Sequence, residues 1–262
     1  MIMPDESKAR MLLCGLLIAL ISPLALLAKE KKDQKKELPS IKVAIPLGIS
    51  RGKPQKVTIR GLRLDEATEL RFKEPKTTAK ILAKTKAGVP NGLEANQIGD
   101  SQVEAEVVVP PDFAGESIEF VIVTAAGESH GHQLLVDHDK TAVAEKEPNN
   151  GFAQAQQITV PEIINGVIDH PQDVDVFRFE GKAGQRIVCE VRAAKLGSAL
   201  DSIVTLFDAN GHTLISNDDY NGSADSLVDF ELPKSGAYFV SVMDANDQGS
   251  QGHAYRLTLR QK

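Results

Sequence analysis

Gln185-Arg186-Ile187-Val188-Cys189-Glu190-Val191-Arg192 is the stretch that decides the fold. Positions 187, 189 and 191 are apolar, and Glu190 and Arg192 alternate with them. A side-chain period of two marks a β-strand with one face buried, because successive Cβ atoms point to opposite faces. Cys189 is therefore expected on the inner face, as a core thiol rather than a nucleophile. The same pattern recurs on either side, at Asp175–Phe179, Ile203–Phe207, His212–Ser216, Leu227–Leu232, Tyr238–Met243 and Tyr255–Leu259. Turn residues separate these runs: Gly181-Lys-Ala-Gly184, Asp208-Ala-Asn-Gly211, Pro233-Lys-Ser-Gly236 and Asn246-Asp-Gln-Gly249. Asn and Gly accept positive φ, so Asp208–Gly211 reads as a hairpin turn. Seven or eight short strands over residues 144–262 predict one sandwich or jelly roll. One helical turn is expected at Phe152–Gln157, with Asn150 as its cap.

Residues 41–143 read as a second set of strands. Lys56–Arg60, Gln102–Val109 and Ile118–Val123 alternate, at least in their first halves. Arg51-Gly-Lys-Pro54, Pro90-Asn-Gly92, Pro110-Pro-Asp112 and Ala126-Gly127 punctuate them, and only Leu64–Leu70 suggests a helical turn. The run from Pro46-Leu-Gly48 to Thr58-Ile-Arg-Gly61, with the later strand ending in Pro110-Pro111, resembles the immunoglobulin-like IPT/TIG domains. The expected fold class is all-β: two β-sandwich domains, immunoglobulin-like and then jelly-roll-like.

Ahead of them, Lys8 and Arg10 precede an apolar run from Met11 to Ala28, the pattern of an export signal over residues 1–28. The run is also just long enough to span a bilayer, so a membrane contact is expected only if the segment stays uncleaved. Residues 29–40, lysine-rich and mixed in charge, read as a solvated linker. Removing the leader removes Cys14 and leaves Cys189 without a disulfide partner.

The chain has 262 residues, 25% charged and 42% hydrophobic, with net charge −6. That excludes a fully disordered chain and argues against a nucleic-acid binder, which would carry a basic face. With no Trp, a sugar-binding face of stacked indoles is excluded. The acidity belongs to residues 144–262, which hold 17 acids and 10 bases.

Several landmarks of this second region fall in a familiar order. They are Glu145-Lys-Glu147-Pro148-Asn149-Asn150, Ile163–Ile168, Asp173-Val-Asp175-Val-Phe177, Gly184-Gln-Arg-Ile-Val188, Leu200-Asp201, Thr205-Leu-Phe-Asp208, Pro233-Lys-Ser-Gly-Ala-Tyr238 and Tyr255-Arg-Leu257. Together they resemble the bacterial pre-peptidase C-terminal domain. The resemblance implies a non-catalytic β-sandwich that accompanies secreted peptidases and other exported enzymes. Some relatives attached to collagenases bind collagen and calcium.

Calcium takes six to eight oxygen ligands, chiefly from carboxylates and carbonyls. Glu145, Glu147 and Asn149 alternate, so an extended segment would point all three one way, and Asp173 and Asp175 do the same on another segment. In the calcium-binding relatives the opening motif and the Asp pair supply ligands. The resemblance therefore implies Ca2+ at Glu145, Glu147, Asn149, Asp173 and Asp175, and the alternative is a capped turn with solvated acids. Asn150 stands where some relatives carry Asp, which would weaken the site.

Other clusters carry less. Asn217-Asp-Asp219 with Asn221 and Asp225 lacks EF-hand spacing and reads as a polar hairpin loop. Gly48-Ile-Ser-Arg-Gly52 spells a nucleophile elbow without the helix that an elbow needs, so it reads as a turn. His130, His132 and His138 have no companion ligands at a recognisable zinc spacing, and Asp169-His170 reads as a loop. The expectation is an exported, non-enzymatic binding or scaffolding protein of the cell envelope or extracellular space. Its partner would be an extracellular protein or polymer, not nucleic acid. A small secreted hydrolase and a remnant of a secreted peptidase are the alternatives.

Overall fold

The computed structural model describes residues 37–138 and 140–262. The expected signal segment, and the linker as far as Lys36, lie outside the described residues. Among the described residues no helix is long and apolar enough to cross a membrane.

The first sandwich is built from nine strands: β1 (Ser40–Ile45), β2 (Gly48–Ser50), β3 (Gln55–Leu62), β4 (Glu69–Phe72), β5 (Thr78–Lys86), β6 (Ser101–Val108), β7 (Ser117–Thr124), β8 (Gly127–Glu128) and β9 (His132–Asp137). One sheet has the order β1-β3-β6-β5, and the other β2-β9-β7-β4 with β8 beside β7. The alternation of β6 and β7 sends Val103, Ala105, Val107, Ile118, Phe120 and Ile122 into the space between the sheets. The helical turn expected at Leu64–Leu70 is one turn of 3-10 helix at Leu64–Glu66. The elbow motif is strand β2 followed by a turn, and no helix follows it.

The second sandwich holds β10 (Val143–Ala144), β11 (Gln156–Gln157), β12 (Glu162–Val167), β13 (Val174–Gly181), β14 (Arg186–Arg192), β15 (Ser202–Phe207), β16 (Thr213–Asn217), β17 (Leu227–Glu231), β18 (Gly236–Asp244) and β19 (Ala254–Gln261). Its sheets run β10-β12-β19-β14-β17 and β11-β13-β18-β15-β16. Consecutive strands change sheets repeatedly, which is the jelly-roll arrangement. Cys189 lies fully buried on β14 among Ile187, Val191, Val228 and Leu259. Burial pushes its thiol pKa up to about 12.

The turn expected at Phe152–Gln157 is a single hydrogen-bonded one, Gln154 N–H to Gly151 O at 2.9 Å, and β11 occupies the end of the segment. The side chain of Phe152 instead packs on the outer face of a sheet, 5.2 Å from the Phe207 ring and 4.8 Å from Phe239. Asn150 does not cap; its amide donates to Asp173 Oδ1 at 3.0 Å.

A third apolar cluster joins the sandwiches. Val43, Leu47 and Leu135 of the first meet Leu196 and Ala254 of the second, with Ile45 and Val167 against them. Gly197, at φ +84°, lies under the Lys42 carbonyl, where a Cβ would sit 2.0 Å from the oxygen. A buried ion pair closes the seam: the Arg256 guanidinium on β19 donates to Asp137 Oδ1 on β9. Residues 37–262 thereby form one compact unit.

Candidate metal centre

β13 starts at Val174, so Asp173 and Asp175 flank its first residue and both are buried. The segment that carries Glu145, Glu147 and Asn149 follows β10 and is irregular, not the extended run that alternation suggested. It is held instead by pairing. Glu145 N–H donates to Asn165 O at 3.0 Å, and Val176 N–H donates to Asn149 O at 3.0 Å.

The two segments meet. Carboxylate oxygens of Glu147, Asp173 and Asp175 lie within 4.8 Å of one another. Glu145 joins them through Tyr255, whose hydroxyl lies 3.0 Å from Glu145 Oε2 and 2.7 Å from Asp175 Oδ2. Its other oxygen accepts from Val167 N–H at 2.8 Å. Glu147, the exposed member, accepts from Asn149 N–H at 2.9 Å. Asp173 accepts from Asn150 Nδ2 at 3.0 Å and from Asp169 N–H at 2.9 Å.

A phenol has one proton and cannot satisfy two carboxylates. In the absence of a cation the pair therefore favours keeping a proton on one of its carboxyls. Burial drives this: it pushes Asp175 up to about 9, with the neighbouring Glu145 charge adding to the shift. Burial raises Glu145 as well. Tyr255 is held well above the ordinary phenol range by burial and by the two carboxylates.

Three buried atoms have no partner here: Asp175 Oδ1 and both amide atoms of Asn149. A buried polar atom without a partner costs about 1–3 kcal/mol, so orphans beside converging acids are what an oxygen-seeking cation would relieve. The residues present therefore fit a hard divalent cation.

Sequence reading missed three participants. The sequence pattern places Tyr255 only at the start of a strand. Asp169 and His170 read as loop in the sequence, yet their ligand atoms gather with Asp173, the His170 Nδ1 lying 3.1 Å from Asp169 Oδ1. An Asp-His-x-x-Asp spacing was the available signal. Among the described residues the remaining histidines gather no further ligand set. His138 Nε2 pairs with Gly115 O at 2.8 Å, and the His132 ring sits edge-on to Phe120. The Asn217–Asp225 cluster serves its loops: Asn217 Nδ2 donates to Asp219 O, and Asp225 Oδ1 accepts from Ala193 and Ala194 N–H.

Among curated proteins, a "Probable subtilase-type serine protease" of Deinococcus radiodurans is 40% identical over 111 residues. The match covers 41% of this chain and spans 15% of the protease. Among solved structures, the pre-peptidase C-terminal domain of a Bacillus anthracis collagenase aligns with 47% of this chain and 100% of its own, at 14% identity and TM-score 0.33. Aeromonas hydrophila PliG, a periplasmic inhibitor of g-type lysozyme, aligns with 41% of this chain and 97% of its own, at 17% identity and TM-score 0.32. The family model described as the bacterial pre-peptidase C-terminal domain matches residues 173–243, the part of the second sandwich that opens on Asp173 and Asp175.

Proposed function

We propose that the protein is an exported, non-catalytic binding module that works alongside secreted peptidases, with its second sandwich braced by calcium. Glu145, Glu147, Asp173 and Asp175 would hold the ion, with the Asn149 amide as a neutral oxygen donor. The carrying observation is the orphaned, buried Asp175 Oδ1 within a set of converging carboxylates. Bound calcium supplies charge compensation and nothing else. The chain's own residues supply rigidity: Tyr255 and Val167 N–H hold Glu145, and Asn150 with Asp169 N–H holds Asp173. The family match and the subtilase-type relative support the association with peptidases. The partner recognised would be an extracellular protein or polymer.

The test is a thermal melt of the full chain in EDTA and in millimolar calcium. A cation that binds only the folded state at about 100 times its Kd contributes about 2.7 kcal/mol. For a unit of this size that is a midpoint rise of about 5–10 °C. Magnesium should do less, because it demands octahedral geometry and keeps its waters. The pair Glu147→Gln and Asp175→Asn should abolish the rise with the fold intact. Superimposable melts, with no calcium heat in calorimetry, would reduce the acids to a polar edge.

A further inference from the structure

We propose that the seam between the two sandwiches sets the calcium affinity of this centre, with Asp137 and Arg256 as positioning residues that touch no ion. The proposal rests on the calcium reading above. Two connections carry it. The first is β19 itself. Tyr255 faces inward and bonds Glu145 and Asp175, while Arg256, the next residue, faces the seam. Its guanidinium bonds Asp137 of the first sandwich and Asn165 Oδ1, the latter at 3.1 Å.

The second connection runs through the chain that enters the second sandwich. Asp137 Oδ2, the oxygen that Arg256 does not use, accepts from Ala142 N–H at 3.1 Å. Val143 and Ala144 then pair in parallel with Ile164 and Asn165. Glu145 N–H bonds Asn165 O, and Glu145 Oε1 accepts from Val167 N–H. Asn165 is the shared member: its backbone holds Glu145, and its side chain reaches Arg256 and, at 3.4 Å, the Gly48 carbonyl of the first sandwich. Val167 also packs against the apolar seam cluster. Glu145 is thus delivered to the acids by residues anchored on both sandwiches. An open seam would leave it to be ordered when the ion binds, and ordering even one residue costs about a tenfold loss in affinity.

The coupling is reciprocal, so calcium must in turn tighten the seam. Hydrogen exchange of the wild-type full chain, with EDTA and with calcium, should show calcium protecting peptides over residues 46–50 and 133–138. These lie in the first sandwich and hold none of the proposed ligands. Calorimetry with calcium chloride then compares seam and control variants. Asp137→Asn with Arg256→Gln, and separately Leu135→Ser, should bind about tenfold more weakly. Ile122→Ala, in the core of the first sandwich on the stretch of β7 that pairs with β4, should destabilise the fold yet keep the wild-type Kd. Wild-type binding with no change in exchange over 46–50 and 133–138, or seam variants with wild-type Kd, would overturn the coupling and leave the calcium centre standing. No calcium heat from the wild type would overturn both.

Discussion

Removing divalent cations should make the protein lose stability as the pH rises from 7 to 8.5. In the folded chain burial holds the Asp175 pKa near 9, against about 3.9 for an unfolded aspartate. Between those values the folded state binds one proton more than the unfolded state at this group. The slope of unfolding free energy with pH, 2.303RT(νU − νN), is then negative. The contribution is full below the unfolded pKa and is lost as pH rises toward 9. Glu145 is raised too, so the proton belongs to the pair, and the sign is the same whichever carboxyl carries it. One proton corresponds to about 1.4 kcal/mol per pH unit, so 1.5 units remove about 2 kcal/mol. For a unit of this size that is a fall in Tm of about 4–8 °C. The window avoids the histidines. Burial lowers His132 to about 4 and lowers His253 below its usual value, so both lose stability as pH falls, on the acid side of neutrality. The assay is a set of thermal melts in EDTA at half-unit steps, repeated with Asp175→Asn and repeated in calcium. Asp175→Asn should leave only the shallow slope that the buried Cys189 thiol adds near pH 8.5, where an unfolded cysteine loses its proton and the folded one keeps it. Calcium should do the same, because the ion displaces the proton. A flat wild-type profile in EDTA, or an equal slope in Asp175→Asn, would show that the carboxyl pair carries no shared proton.

Gly166→Ala should lower Tm and abolish any calcium-dependent stabilisation, because its Cβ would stand 2.2 Å from the Tyr255 ring and 2.3 Å from Glu145 Oε2; melts with and without calcium check both effects. Cys189 should resist thiol reagents in the native state and label at once in denaturant, since it is fully buried with its thiolate disfavoured; rapid native labelling would contradict the packing of β14.

The strands were legible because a period of two is a local property. Arg186–Arg192 was read from alternation alone and is β14 to the residue, with Cys189 inward as the pattern required. Part of the acid cluster was also legible, since Glu147, Asp173 and Asp175 are the acids that converge. At Phe152–Gln157 only a single hydrogen-bonded turn forms, and Phe152 packs against Phe207 on β15 and Phe239 on β18, a contact that no local propensity encodes.

What alternation could not supply was which residues meet across the sheets. Tyr255 lies 80 residues from Asp175 and 110 from Glu145, and Arg256 lies 119 from Asp137. Those meetings depend on strand register, and a slip of one residue would exchange the faces of Tyr255 and Arg256. Residue type and spacing therefore determined which groups could bind a cation. Tertiary structure alone decided that Glu145 and Asp175 share one phenol, that the Asn149 side-chain amide is buried without a partner, and that the second sandwich is locked to the first, because burial and register are properties of the assembled sheets.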